Sequence, residues 1–143
     1  MTTPLSSPNG LDLRVILETP VRQFVPWLMM VFLVTWAGYP GVVCVTPMAW
    51  LIALRVGNLV VARSRSDSSS RRLTEAALAG AMLGLLQGVL FAAIISFLEP
   101  ISADDESRSM ILTLIMIAVG MVAGAGLSFL TAYLNEQRRR RTS

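Results

Sequence analysis

The residues able to do chemistry in this chain are few, and they stand out because everything around them is apolar. Arg55, Asn58 and Gln87 interrupt long uncharged runs, joined by hydroxyls such as Thr113, Ser128 and Thr131. An arginine at membrane depth supplies a fixed positive charge that can hold a phosphate, pair with a carboxylate or repel cations in a pore. Arg55 lies eight residues before Arg63, about 12 Å along a helix, so its long side chain can reach back toward the headgroups. Glu75 is expected near the same end, and the sequence predicts an Arg55–Glu75 ion pair, with a fixed charge beside an anion path as the alternative. Asn58, three residues on, shares the Arg55 face and can join the same partner. Gln87 carries amide donors and an acceptor in a stretch without water, which predicts an interhelical hydrogen bond or, second, a polar path.

The absences are as informative. The chain has no histidine and no lysine, and its single cysteine is Cys44. A histidine-ligated metal or haem, a histidine base and a cysteine cluster therefore cannot be assembled. No carboxylate at membrane depth is paired with another polar group, so the expectation is no enzyme, no metal site and no cofactor. The eight methionines are scattered and read as adaptable packing residues.

These residues must be positioned by membrane-spanning helices. Of 143 residues 54% are apolar and 15% charged, and the mean hydropathy is +0.63. Soluble domains carry about a quarter charged residues. A span needs about 20 apolar residues. The run from Gln23 to Ala62 is about forty residues long with one charge, Arg55, too long for one crossing and suited to a tight pair reversing at Gly38-Tyr39-Pro40-Gly41. The fold class expected is an all-α integral membrane protein, an antiparallel bundle of four transmembrane helices at about 21–38, 42–62, 73–98 and 109–134. Three spans, with residues 23–62 as one broken crossing, are the minority reading, and a cleavable signal peptide at the first span is a further alternative. Residues 1–20 form an amino-terminal tail in this reading, with a short interfacial helix over 11–18 whose Leu13, Ile16 and Leu17 face lipid. Trp27, Trp36, Tyr39 and Tyr133 are expected as interfacial anchors. Residues 135–143 are a basic tail.

Arginines set the orientation, because cytoplasmic loops collect basic residues. With four spans, Arg14, Arg22, Arg63, Arg65, Arg71, Arg72 and Arg138 to Arg141 all fall on one side. The other side holds Glu99, Asp104, Asp105, Glu106 and Arg108. A multi-pass protein of a bacterial-type plasma membrane with both termini cytoplasmic satisfies the rule. Arg138, Arg139, Arg140 and Arg141 are expected to meet anionic lipid headgroups. An arginine run without aromatic platforms points away from nucleic acid.

Small residues recur at every fourth position of the third span, at Ala76, Gly80, Gly84, Gly88, Ala92 and Ser96, and of the fourth, at Gly120, Gly124, Ser128 and Ala132. A face without bulky side chains lets a second backbone approach closely, which is how helices associate in lipid. The expected use is internal packing, with a face between protomers as the alternative. The function expected is a noncatalytic accessory, assembly or scaffold subunit of a membrane complex or homo-oligomer, partnered by lipids and by another protein or itself. The alternative is an oligomeric channel or small-solute transporter using Arg55, Asn58 and Gln87.

Overall fold

A computed structural model describes residues 11–36, 40–64, 68–98 and 106–142, with side chains placed over 11–33, 47–64, 68–94 and 110–141. Four helices follow one another: α1, Leu13–Trp36; α2, Pro40–Arg63; α3, Ser69–Leu98; and α4, Glu106–Thr142. The turn at Gly38 and Tyr39, and the acidic loop from Glu99 to Asp105, lie outside the described residues.

The helices start earlier than hydropathy predicts, because capping and not apolarity fixes their ends. Asp12 accepts at Oδ1 from the Val15 N–H at 3.3 Å, and its carbonyl accepts from the Ile16 N–H at 3.1 Å, which is the geometry of a helix start. From there α1 runs unbroken through Pro20 and Pro26. The expected interfacial helix is thus the first part of α1. Ile16, expected to face lipid, is 7% exposed, whereas Leu13 and Leu17 are exposed. Pro40 opens α2 at a position where a missing N–H costs little. The expected tail over 135–143 is helical as far as Thr142. No glycine or proline stops α4 after Leu134, and Glu136, Gln137 and the arginines are good helix formers that place positive charge at the negative end of the dipole.

Direction alternates along the chain. Contacts of Asp12 and Ser64 with Glu75, and of Arg72 with Glu136, bring the start of α1, the end of α2, the start of α3 and the end of α4 to one end of the bundle. Arg14, Arg22, Arg63, Arg71, Arg72 and Arg138 to Arg141 therefore share that end. Helix α3 is central. It packs against all three others, while α1 and α4 flank the α2–α3 pair.

Small side chains predominate in the interior, with Leu83 and Trp27 among the large exceptions, and many large ones face outward. Val56, Val60, Ala76, Ala79, Leu83 and Ala132 are fully buried in one core cluster, and Trp27, Val31 and Ala49 form a second. Phe32 and Val122 are each 74% exposed, among many large apolar residues on the outside of α1 and α4. Such an exterior is costly in water and costs nothing in hydrocarbon. Three segments, Leu13–Leu33, Ser69–Ile94 and Met110–Arg141, are long and apolar enough to cross a membrane. Helix α2 equals α1 in length at 24 residues.

Helices α3 and α4 approach backbone to backbone. A methyl group placed on Gly80 would overlap the carbonyl oxygen of Gly124, and one on Gly84 that of Gly120. At Gly88 it would lie 2.8 Å from the Ile117 Cα, and at Gly57 of α2 it would lie 2.9 Å from the Ser128 Cα. Gly126, on the opposite face of α4, has nothing within 4 Å.

Candidate functional site

At the arginine-rich end one carboxylate ties three helices together. Glu75 is 1% exposed, and its Oε2 accepts from Ser64 Oγ at 2.6 Å while Oε1 accepts from the Asp12 backbone N–H at 2.9 Å. Charge-assisted bonds of this kind are about twice as strong as neutral ones. Arg55 is not among its partners. The expected Arg55–Glu75 ion pair is not formed: Arg55 is exposed, nine residues before Ser64, and Glu75 is bonded instead from the end of α2 and the start of α1. A second bond closes the same end, where Arg72 Nη2 meets Glu136 Oε1 at 3.2 Å, with side chains 17% and 12% exposed. Glu18 pairs with Arg14 at 3.1 Å and Arg22 at 3.7 Å on the outside of α1. Beside the Arg72–Glu136 pair, Ser69, Tyr133, Gln137, Arg140 and Arg141 edge a recess of about 380 Å³. Neither hub was legible in the sequence. The hints were Glu75, singled out as a pairing carboxylate but with another partner, and Glu136, one acidic residue set into the basic carboxyl-terminal segment.

Arg55 and Asn58 lie on the outer face of α2, both exposed. The side chains of α2 that enter the core, Ala49, Ala53, Val56, Val60 and Val61, occupy the other side of the helix. Each described carboxylate, Asp12, Glu18, Glu75 and Glu136, is engaged elsewhere.

Gln87 takes the opposite position. It is 8% exposed, and its Nε2 is buried without a hydrogen-bond partner. The interhelical bond expected of it is not made among the described residues. It sits instead on the floor of a cleft of about 420 Å³ between α2 and α4, with Trp50, Phe91, Met116 and Val119 among its walls. The sequence brings Arg55, Asn58 and Gln87 under one heading as intramembrane polar groups; the fold puts the first two outside and the third within.

Of the hydroxyls, Ser128 is fully buried and donates to the Ala53 carbonyl at 2.7 Å, a link from α4 to α2. Thr131 donates to the Leu127 carbonyl one turn back at 2.8 Å. Trp27, expected as an interfacial anchor, is a core residue at 1% exposure, packed between Phe24 at 5.5 Å and Phe91 at 5.7 Å. Its face of α1 is turned toward α3, so burial against an aromatic partner wins over the headgroup region. Tyr133 remains exposed and stacks on Phe129 at 6.4 Å. The side chains of Trp36 and Tyr39 lie outside the described residues. Among the described residues no cluster of three histidine, cysteine, aspartate or glutamate side chains could hold a metal ion. No protein-family profile, curated protein or solved structure matches this chain.

Proposed function

We propose that this chain is a noncatalytic integral membrane protein that serves as an accessory, assembly or scaffold subunit of a membrane complex or of a homo-oligomer. The observation that carries the reading is the placement of Arg55 and Asn58. An arginine and an amide three residues apart, turned away from their own core, are costly in hydrocarbon; a headgroup reached by the long Arg55 side chain leaves the short Asn58 amide unmet, whereas a carboxylate or amide on a second membrane-embedded surface satisfies both. In this reading the four helices all cross a bacterial-type plasma membrane, both termini are cytoplasmic, and Arg138 to Arg141 meet anionic headgroups. The small residues Ala76, Gly80, Gly84, Gly88 and Ala92 of α3, with Gly120, Gly124 and Ser128 of α4, act as a glycine zipper inside one protomer, which leaves the face of α2 for the partner.

Mass measurement of the protein purified in mild detergent tests the proposal. A higher oligomer or a retained partner is expected, and Arg55→Leu should release it while leaving helical content unchanged. A monomer that retains nothing would overturn the reading. The alternative, an oligomeric channel or small-solute transporter, requires Arg55, Asn58 and Gln87 on one path. Their separation onto two faces favours the subunit reading, and liposomes that pass no ions above empty controls would dispose of the channel.

A further inference from the structure

The cleft between α2 and α4 has the construction of a small-molecule site. Its volume, about 420 Å³, lies within the range of ligand pockets, and such pockets are mostly apolar with a few polar groups that fix orientation. Here the walls are apolar and aromatic, from Trp50, Phe91, Met116 and Val119, and the amide of Gln87 is the polar group. Gly88, Gly120 and Gly124 leave the floor flat beside it. The amide nitrogen is buried and has no partner among the described residues, whereas buried donors are nearly always satisfied. We infer that this cleft binds an uncharged, membrane-dissolved molecule with a ring carbonyl, the carbonyl oxygen accepting from Gln87 Nε2 and the ring lying between Trp50 and Phe91.

Depth selects the kind of carbonyl. On the four-span reading proposed above, with Glu75 taken at the near boundary, Gln87 is twelve residues further, about 18 Å along the helix axis, and about 12 Å short of the far boundary of a hydrocarbon layer of about 30 Å. Ester carbonyls of phospholipids sit at the boundaries, so the depth fits a molecule free in the hydrocarbon. No ionisable side chain lines the cleft, which excludes charged ligands.

Photolabelling with benzophenone, an apolar diaryl ketone, tests this on the full chain in vesicles. Labels are expected on cleft residues such as Met116, and Gln87→Met should reduce them by about five-fold, the scale of one membrane hydrogen bond. Diphenylmethane, of the same shape without the carbonyl, should compete poorly. If Gln87→Met does not fold, Val119→Trp fills the cleft from α4 and should also abolish the label. Equal labelling of wild type and Gln87→Met, or labels spread evenly over the outer faces of α1 and α4, would overturn the inference. So would stronger labelling in ether-lipid than in ester-lipid vesicles, which identifies a lipid ester as the occupant, or a gain of cleft labelling when a copurifying polypeptide is stripped away, which identifies a partner helix as the occupant.

Discussion

Ser64, just past the last residue of α2, donates a 2.6 Å hydrogen bond to Glu75, a carboxylate 1% exposed in the second turn of α3. The bond therefore ties the end of α2 directly to the start of α3. The same carboxylate holds the first turn of α1 through Asp12, so three of the four helices are registered by one side chain.

Glu75→Ala should consequently cost more than a surface substitution. Two hydrogen bonds to a buried charged group are lost, and each is worth about 1.5–3 kcal/mol. A drop of several degrees in thermal unfolding in detergent is expected, with Ser64→Ala giving a smaller drop. An unfolding temperature unchanged by Glu75→Ala would mean that the hub contributes nothing.

The α3–α4 contact makes a sharper contrast, because the same chemical change has opposite consequences at two glycines. Gly84→Ala places a methyl group against backbone atoms of Gly120, with the Gly120 carbonyl carbon 2.5 Å away, and backbone cannot yield as a flexible side chain can. Overpacking of this sort costs about 1–3 kcal/mol or more. Gly126→Ala meets open space and should be neutral or stabilising by up to about 1 kcal/mol from helix propensity. Chemical denaturation of both variants checks the pair, and equal effects would contradict the close approach.

Trp27 and Trp50 should respond differently to lipid. Trp27 is 1% exposed and Trp50 57% exposed, so brominated acyl chains should quench chiefly the latter. Trp50→Phe is expected to remove more of the quenching than Trp27→Phe does. Trp27→Ala, by emptying the space between Phe24 and Phe91, should destabilise by about 3–5 kcal/mol.

Ser128→Ala removes the bond to the Ala53 carbonyl while keeping the small volume between α2, α3 and α4. A loss of about 0.6–2 kcal/mol is expected. Ser128→Val, which adds bulk against Gly57 and Gly80, should cost more, and a harmless valine would show that packing there is loose.

Much of the architecture is written in the sequence because it depends on local composition. Apolar runs in α1, α3 and α4 long enough to span a membrane follow from hydropathy, which acts over a few residues. Helix ends were less legible, since Asp12 and the carboxyl-terminal arginines extend α1 and α4 by capping and propensity beyond the apolar segments. Partnerships were decided only by the tertiary structure. Nothing local says that Glu75 meets Ser64 and Asp12 and not Arg55, or that Trp27 enters the core. Nor does composition distinguish Arg55, turned outward on α2, from Gln87, held in a cleft. Each is a polar residue in an apolar run, and which face it occupies depends on how the helices rotate about their axes as they pack, a relation between segments far apart in sequence.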